Sequence, residues 1–439
     1  MFNSDYQVAI IGGGITGAAL AYVLARYTGI VSIVLLEKAG RLASVNSAAS
    51  QNSQTLHCGD IETNYTPEKA AEVKRAADML LRCVSREGAG SILHRMPKMV
   101  LGVGEAECAF LRARHEPFQT LFPDLRLLDK AGVCAAEPEV GCDRREELAA
   151  LVVPDSYCAA DFGRLTRFFL QRAREQDGGV SVHMRCRVEA IARGEDGYVL
   201  HTSGGEVHAR FVAVCAGAHS LGFAQRMGYG QQYSILPVAG SFFHAPCRVR
   251  GKVYTVQSEK LPFAAVHADP DIERPEWMRL GPTALVVPFL ERRRWTSVPG
   301  FLRTVRIDAD TLGTFAGILG EPEMRRYMVR NLSYEIPLLR AHLFAREARK
   351  ILPALRARDL RYARGIGGLR PQLIDRPARR LAFGSARITS EEGLLFNITP
   401  SPGATSCLAN AMEDARRMSE FLGCVFNEER LHEELLARE

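Results

Sequence analysis

The chain has 439 residues, 47% of them hydrophobic and 24% charged, which is typical of a globular protein and excludes a disordered or fibrous one. This length exceeds what one hydrophobic core usually supports and predicts two domains. The formal net charge of +6 is spread over many arginines without a long basic block, so nucleic acid is not an expected partner. Anionic lipid and an anionic substrate are both compatible with this charge.

Eleven cysteines are scattered along the sequence without a Cys-x-x-Cys pair. This odd set predicts reduced thiols and no metal site. The N-terminus lacks a basic region followed by a long apolar run, and no stretch approaches the ~18 apolar residues of a membrane span. We therefore expect a cytoplasmic protein.

The first elements form a strand, a tight turn, a helix and a second strand within about thirty residues. Residues 7–14 (QVAIIGGG) are an apolar run that ends in glycines, and residues 15–27 carry small and apolar side chains at helical spacing. Residues 31–38 (VSIVLLEK) predict another buried strand. This order is typical of a dinucleotide-binding unit.

The turn contains the pattern Gly-x-Gly-x-x-Gly at Gly12, Gly14 and Gly17. The first glycine permits the tight turn, the second lets the backbone approach a pyrophosphate, and the third lets the helix pack on the strand. The helix N-terminus then offers N–H groups to the anion. Glu37 closes the second strand, where its carboxylate can accept both ribose hydroxyls of an adenosine. The sequence therefore predicts a dinucleotide site.

Two distant segments favour FAD over NAD as that dinucleotide. The run at 213–220 (AVCAGAHS) and the proline–glycine loop at 399–407 (TPSPGATSC) both predict contacts to one long cofactor. A helix N-terminus at 403–406 would place partial positive charge where a reduced flavin is negative. The same residues could also form a structural turn and helix cap without a flavin. The predicted FAD contacts are Gly12, Gly14, Ile15, Thr16, Gly17, Glu37, Lys38, Asn52, Ser53, Val188, Ala216, Gly217, Pro402, Gly403, Ala404 and Thr405.

The middle of the chain predicts the return of the first domain and then a second domain. A helix near 164–176, a strand at 181–192 and a hairpin over 195–211 lead back to the dinucleotide site. From 232 to 360 the pattern changes to isolated strands, among them 283–290, followed by arginine-rich helical segments. A further strand, loop and helix close the chain.

We predict an α/β fold: a Rossmann-like FAD-binding domain of the glutathione-reductase-2 type, with an interleaved α+β substrate domain built on an antiparallel sheet. The predicted FAD-binding domain comprises residues 1–90, 150–231 and 361–439, and the substrate-binding domain comprises residues 91–149 and 232–360.

Residues 52–67 (NSQTLHCGDIETNYTP) are unusually rich in hydrogen-bonding groups. They resemble the Asn…Gly-Thr-Gly-His…Glu-Leu-Asn-Tyr-Thr-Pro run of the malate:quinone oxidoreductases, which are similar to the L-2-hydroxyglutarate oxidases and dehydrogenases within the D-amino-acid-oxidase-like flavoproteins. Further patches at 266–270 (VHADP), 281–288 (GPTALVVP), 310–314 (DTLGT) and 381–405 resemble the same family in the same order. The sequence departs from the family at Gln54 and Leu56, where the family has glycines, and at Ile61, where it has cysteine.

The resemblance implies FAD-dependent oxidation of (S)-malate or a close 2-hydroxy dicarboxylate to the 2-oxo acid. A quinone is the implied electron acceptor, with possible peripheral contact to the inner face of the plasma membrane. L-2-hydroxyglutarate is an alternative substrate, an amino-acid oxidase is an alternative enzyme, and the altered glycines favour a non-catalytic flavin-binding protein as an alternative of another class.

Four residues are the catalytic candidates. A neutral imidazole can remove the hydroxyl proton of a 2-hydroxy acid, and the resemblance favours His267 as this base and His57 as a substrate or flavin contact. Arg370 follows two glycines and can hold a carboxylate through two parallel hydrogen bonds, with Gln372 on the same strand face as support. The alternative for Arg370 is a salt bridge to Asp375 or Glu391.

Two further segments are candidates for binding. Arg292, Arg293 and Arg294 could bind a second carboxylate, although a charge run usually marks a solvated face. The tail from 418 to 436 predicts either a membrane-surface helix or, preferably, a helix docked on the first domain.

Overall fold

The structure is a computed structural model that describes residues 5–257, 265–382, 386–398 and 402–436. Residues 399–401 of the predicted proline–glycine loop and 383–385 of the closing segment lie outside the described residues.

The strands are, in chain order, β1 Asp5–Ile11, β2 Ile33–Glu37, β3 Leu93–Val103, β4 Arg126–Asp129, β5 Leu148–Ala160, β6 Val180–Met184, β7 Val188–Gly194, β8 Gly197–Thr202, β9 Gly205–Val214, β10 Tyr233–Ala239, β11 Phe243–Pro246, β12 Lys252–Thr255, β13 His267–Pro270, β14 Trp277–Gly281, β15 Leu285–Val286, β16 Arg361–Tyr362, β17 Leu369–Asp375, β18 Arg380–Ala382, β19 Ala386–Thr389 and β20 Leu394–Ile398.

The α-helices are α1 Ile15–Tyr27, α2 Pro67–Arg86, α3 Glu105–Gln119, α4 Lys130–Ala136, α5 Pro138–Gly141, α6 Phe162–Arg174, α7 Ser220–Arg226, α8 Val298–Val305, α9 Ala309–Gly320, α10 Pro322–Ser333, α11 Arg340–Ala348, α12 Cys407–Leu422 and α13 Glu428–Leu431. Short 3₁₀ turns occur at Ala49–Gln51, Gly90–Ile92, Gly217–His219, Trp295–Ser297 and Ala357–Asp359, and a π turn at His432–Leu436.

The first sheet has the strand order β19-β20-β9-β1-β2-β6, in which β20, β9, β1, β2 and β6 run parallel. Val8 and Ile10 of β1 face α1, α6 and α12, whereas Ala9 and Ile11 face the meander formed by β7, β8 and β9. Because both faces are covered, the strand is apolar at every one of these positions. This topology confirms the predicted Rossmann-like fold.

One predicted strand of this region is wrong. The sequence predicts a single strand over 181–192, but the chain forms β6 and β7, which pair with different neighbours. The break contains Arg185 with a φ of +56°, a left-handed backbone that interrupts the extended conformation of a strand. A local pattern of apolar residues cannot show this change of direction.

The second sheet has the order β16-β11-β14-β13-β12-β3-β5-β4 and is antiparallel except for the β12–β3 pair. A third sheet has four antiparallel strands in the order β15-β10-β17-β18. β5 pairs with β3 from Leu148 to Ala160, so the domain boundary predicted at residue 150 falls inside a strand. The exact division into domains stays a prediction.

Helices α8 to α11 form the predicted arginine-rich helical segment. Phe344 of α11 is fully buried and stacks on Phe243 of β11, with ring centroids 4.3 Å apart, which anchors this segment to the second sheet. The strand predicted over 283–290 is much shorter, because only Leu285 and Val286 pair with β10.

The C-terminal tail is docked on the first domain, which confirms the alternative that the sequence analysis preferred. Leu431 and Leu435 are buried, and Glu434 pairs with Arg26 at 2.6 Å. Within the described part of the chain, no helix combines the length and the apolar character needed to cross a bilayer.

The prediction that all cysteines are reduced is wrong for one pair. Cys134 and Cys142 form a disulfide with a Cα–Cα distance of 5.1 Å. The short helices α4 and α5 pack against each other and return the chain on itself, which brings two cysteines eight residues apart within bonding range. The spacing alone does not reveal this contact.

Candidate active site

A cavity of about 830 Å³ opens where β1, β2 and β9 end. Its wall includes Gly12 after β1, Glu37 at the end of β2 and Ala216 after β9, and it extends to Arg370 in β17. The carboxyl ends of parallel strands are the usual ligand site in this architecture.

The glycine pattern is required by the geometry of the turn. A Cβ atom on Gly12 would lie 2.4 Å from the carbonyl oxygen of Cys215, and the φ of Gly12 is +117°. A Cβ atom on Gly17 would lie 2.1 Å from the carbonyl oxygen of Gly12. Only glycine fits at either position, so the turn can lie close against β9 and α1 can pack on β1.

The N-terminus of α1 is open toward the cavity. Its N-cap is Gly14, which has no side chain and therefore satisfies none of the first-turn N–H groups. Ile15 N donates to Ser47 Oγ at 2.9 Å, and Gly14, Ile15 and Thr16 line the cavity. This donor set fits a pyrophosphate.

Glu37 is held in place by the turn that it faces. Its Oε2 accepts a hydrogen bond from Gly13 N and its Oε1 accepts one from Ala39 N, both at 2.7 Å. Each carboxylate oxygen can accept a second hydrogen bond. The side chain is therefore preorganised to accept ribose hydroxyls, as the sequence predicts.

Lys38 lines the cavity but already has a partner. Its Nζ donates to Glu291 Oε1 and lies 3.4 Å from His219 Nε2. Burial would raise the pKa of Glu291, but the hydrogen bonds from His219 and Lys38 outweigh it and keep this pKa below its ordinary value. Lys38 thus ties the segment around Glu291 to the cavity wall.

The polar stretch after β2 lies along the end of β5. Ala160 N donates to Gln54 O at 2.9 Å, and Leu56 N donates to Cys158 O at 3.0 Å. These main-chain bonds orient Asn52, Ser53, Thr55 and His57, which line the cavity.

Fifteen of the sixteen predicted FAD contacts line this one cavity, although they come from six separate parts of the sequence. The exception is Gly17, which lies under the turn. Helix α12 begins at Cys407 rather than within 403–406, so Pro402 to Thr405 form the turns before it.

The two candidate histidines lie in different environments. His57 lines the cavity, and its Nδ1 is hydrogen-bonded to Glu62 Oε1 at 2.8 Å. Burial would raise the pKa of Glu62, but the hydrogen bond to His57 outweighs it and keeps this pKa below the ordinary value. His267 is only 1% exposed and is absent from the cavity wall.

His267 belongs to a buried charged network. Asp269 Oδ2 lies 2.8 Å from His267 Nδ1, at an angle outside hydrogen-bond geometry, and accepts a hydrogen bond from Lys252 Nζ at 2.9 Å. Burial lowers the pKa of His267. Burial would raise the pKa of Asp269, but His267 and Lys252 outweigh it and hold this pKa at about 2. The imidazole is therefore buried beside the ion pair of Lys252 and Asp269.

This network reaches the cavity wall through Thr55. Lys252 Nζ donates to Thr55 Oγ1 at 3.1 Å, and the hydroxyl groups of Thr55 and Tyr254 are 2.7 Å apart. The Tyr254 ring stacks on His267 with centroids 4.5 Å apart. His267 is thus one residue layer behind the wall.

Arg370 lines the cavity and has no partner for its charge within the described part of the chain. No described residue forms a hydrogen bond or ion pair with its guanidinium, so the alternative salt bridges to Asp375 and Glu391 are absent among the described residues. Burial lowers the pKa of Arg370, opposed by the nearby Tyr327, Tyr254 and Tyr65. This environment remains compatible with a guanidinium cation.

The backbone around Arg370 is fixed from both sides. Leu369 N donates to Asn46 Oδ1 at 3.2 Å, and Asn46 Nδ2 donates to Leu369 O at 2.8 Å. Gln372 is buried, does not line the cavity, and donates to Ala382 O at 2.6 Å. Gln372 therefore braces the strand that carries Arg370.

Two of the three arginines at 292–294 already have partners. Arg292 donates to the carbonyl oxygen of Ile366 at 2.9 Å and to Ser241 Oγ at 2.6 Å, and Arg294 donates to Glu291 at 2.8 Å.

Sequence reasoning missed Ser47, Lys252, Tyr254 and Tyr327. Only Lys252 gave a usable signal in the sequence. It begins the short strand β12, and a lysine that is buried in a strand requires a partner for its charge.

Comparisons with known proteins identify the family. Residues 7–413 match the family described as FAD dependent oxidoreductase. The chain is 43% identical to a probable malate:quinone oxidoreductase of Campylobacter jejuni subsp. jejuni, over 99% of this chain and 100% of that protein. The chain belongs to the malate:quinone oxidoreductase family. It is 39% identical to the malate:quinone oxidoreductase of Helicobacter pylori, over 100% of this chain and 99% of that one.

More distant relatives share the fold. The chain is 26% identical to human mitochondrial L-2-hydroxyglutarate dehydrogenase, over 93% of this chain and 87% of that one. Its structure is similar to that of L-alpha-glycerophosphate oxidase from Mycoplasma pneumoniae with FAD bound, with a TM-score of 0.64 at 18% identity, covering 96% and 95% of the two chains.

The residues of this malate:quinone oxidoreductase family member fit FAD. The uncapped N-terminus of α1 suits the pyrophosphate, the glycine turn leaves the space that a Cβ atom would fill, and Glu37 suits the ribose. FAD is the cofactor. The described residues contain no group of three His, Cys, Asp or Glu side chains placed to hold a metal ion.

We predict that Gly12→Ala abolishes stable FAD binding, because its Cβ atom would meet Cys215 O and the backbone would be strained. The flavin-to-protein absorbance ratio after purification should fall about tenfold or more. Gly88→Ala is the control, since Gly88 also has a positive φ, +66°, but a Cβ atom there meets nothing within 4 Å. Full FAD content in a folded Gly12→Ala protein would contradict the predicted role.

Proposed function

We propose that the chain oxidises (S)-malate or a close 2-hydroxy dicarboxylate to the 2-oxo acid and passes the electrons to a quinone. The names of the Campylobacter and Helicobacter relatives support this substrate and acceptor. The observation that carries the proposal is the guanidinium of Arg370 at the wall of the FAD cavity, which has no partner among the described residues.

An unpaired cation away from water costs free energy, and an anion that binds to it offsets that cost. A carboxylate matches a guanidinium through two parallel hydrogen bonds. Asn46 and the neighbouring strands hold Arg370 in place, so a bound 2-hydroxy acid would be fixed by its carboxylate. Its C2 carbon and hydroxyl group would then have a defined orientation.

Bound FAD supplies the hydride acceptor for C2. The protein must remove the hydroxyl proton, and a carboxylate-paired imidazole at the cavity wall is suited to this task. His57 satisfies this requirement through Glu62, whereas His267 is buried behind Thr55 and Tyr254. The sequence favoured His267; the cavity geometry favours His57, and we propose His57 as the base.

Gln54 and Leu56, which stand where the family has glycine, do not favour a non-catalytic protein. Gln54 has a φ of +55°, so it adopts the left-handed backbone for which glycine is preferred, and Leu56 is buried in the core of the first domain. The loop therefore keeps its course along β5 despite both substitutions.

Anaerobic mixing with a panel of acids tests the function directly. We expect (S)-malate to bleach the flavin absorbance, followed by reoxidation with a soluble quinone analogue. Bleaching only by L-2-hydroxyglutarate or only by amino acids would identify those alternative substrates. No bleaching by any compound would indicate a non-catalytic flavoprotein.

We predict that Arg370→Ala raises the KM for malate about tenfold or more, because each charge-assisted hydrogen bond contributes ~1.5 to 3 kcal/mol. Arg370→Lys should give an intermediate value, since it keeps the charge but loses the two-point geometry. Arg364→Ala, which removes an exposed arginine on the preceding turn, is the control. An unchanged KM in Arg370→Ala would count against carboxylate binding.

A pair of matched variants tests the base. His57→Gln should lower kcat by about 10²- to 10⁴-fold with normal FAD content, because general base catalysis is lost. His267→Gln should keep kcat within about tenfold, since its role is structural. Steady-state kinetics on both holoenzymes decides the assignment, and the reverse ranking would restore His267 as the base.

A further inference from the structure

Two buried lysines lie side by side in the second sheet. Lys98 of β3 and Lys252 of β12 are opposite each other in the parallel pairing of these strands, and their exposed fractions are 2% and 1%. Residues in register on neighbouring strands project from the same face of a sheet. Two like charges in this arrangement destabilise the sheet unless each has a partner, so the contacts that each lysine makes must offset a real cost.

Both lysines contact the polar stretch that follows β2. Lys252 Nζ donates to Thr55 Oγ1 at 3.1 Å, and Lys98 Nζ pairs with Asp60 Oδ2 at 2.7 Å. In the sequence, His57 lies between these two contacts. The second sheet therefore holds the polar stretch on both sides of His57.

Asp60 anchors the turn that carries His57 and Glu62. Its side chain is buried, and its Oδ1 accepts a hydrogen bond from Ile61 N at 2.9 Å, while Oδ2 pairs with Lys98. One carboxylate oxygen is thus bonded to the main chain of the turn and the other to the second sheet. Because both partners are buried, removal of either one would leave an uncompensated charge.

Glu62 couples the position of this turn to the orientation of the imidazole. Its Oε2 accepts a hydrogen bond from Gly59 N at 3.0 Å, and its Oε1 is hydrogen-bonded to His57 Nδ1 at 2.8 Å. Gly59 has a φ of +89°, and a Cβ atom there would lie 2.5 Å from Ala70 O, so the turn is too tight for another residue. The orientation of the His57 ring therefore depends on a turn that Lys98 holds in place.

The charge of Lys98 also acts on this turn. Burial would lower the pKa of Lys98, but Asp60 outweighs it and keeps this pKa above its ordinary value. Burial would raise the pKa of Glu62, but His57 and then Lys98 outweigh it. Lys98 is therefore a cation that helps to keep Glu62 ionised. An ionised carboxylate stabilises the imidazolium that forms when a histidine accepts a proton.

We propose that Lys98 is a positioning residue for His57 and acts through Asp60 and Glu62. The inference rests on the proposed role of His57 as the base. Lys98 and Asp60 do not line the cavity, so their effect reaches the substrate through the imidazole. Without the ion pair the turn would lose its anchor, and a small displacement of a catalytic group is enough to slow a reaction severely.

A double variant that removes both charges tests this role. Lys98→Met with Asp60→Leu leaves no buried charge unpaired, and replacements of this kind are often neutral for stability. In the holoenzyme we expect normal FAD content, an unchanged KM for malate and a kcat that is lowered about 10- to 100-fold, because the base is misplaced. If this variant loses its flavin, Lys98→Gln with Asp60→Asn removes the same charges but keeps polar side chains, and it should lower kcat in the same selective way.

The matched control removes another buried ion pair. Arg26 and Glu434 pair at 2.6 Å, and neither residue lines the cavity. Arg26→Met with Glu434→Leu should therefore leave both kcat and KM at the wild-type values, even if the variant unfolds at a lower temperature.

Combination with His57→Gln shows whether the ion pair acts through the imidazole. In that background, Lys98→Met with Asp60→Leu should lower kcat no further, since the group that the ion pair positions is gone. An additive loss, or a raised KM with a normal kcat, would indicate a general structural role and would overturn the inference.

The same kinetics separate this inference from the proposed function. A normal kcat in the variant of Lys98 and Asp60, together with an impaired His57→Gln, would overturn the positioning role alone. A normal kcat in His57→Gln would overturn the assignment of the base, and the positioning role with it.

Discussion

Two main-chain hydrogen bonds join the polar stretch after β2 to the end of β5, from Leu56 N to Cys158 O and from Ala160 N to Gln54 O. They connect a loop of the nucleotide-binding sheet to a strand of the second sheet. Because of this connection, His57 and Thr55 lie at the wall of the FAD cavity rather than in solvent. The high polarity of the stretch follows from its position, since its side chains must pair with each other at a junction between two cores.

The distribution of buried charge singles out one residue. Lys98 pairs with Asp60 at 2.7 Å, Lys252 pairs with Asp269 at 2.9 Å, and Arg279 pairs with Asp271 at 2.7 Å. Each of these cations is nearly inaccessible to solvent and has its own carboxylate, as low-dielectric surroundings require. Arg370 is the contrasting case among the described residues, because its guanidinium faces the cavity without a carboxylate. A substrate carboxylate would complete the pattern that the other three show.

Sequence patterns predicted the nucleotide-binding half well and the second half poorly. The glycines, the two apolar strands and Glu37 lie within a short stretch, so their mutual geometry is set by local structure. The second sheet depends on pairings between distant strands, such as β3 with β12 and β5. Such pairings leave no local signal, and the strand break at Arg185 and the disulfide between Cys134 and Cys142 escaped prediction for the same reason.

The sequence by itself determined that the chain binds a dinucleotide at a β-α-β turn, because each requirement of that turn is met by a residue type at a fixed spacing. It also singled out Arg370, His57 and His267 as candidate site residues, with His267 preferred as the base. Only the tertiary structure decided that Arg370 has no acidic partner among the described residues and that His267 is buried beside an ion pair. Burial and pairing are properties of contacts between distant segments, and residue order alone does not specify which of those contacts form.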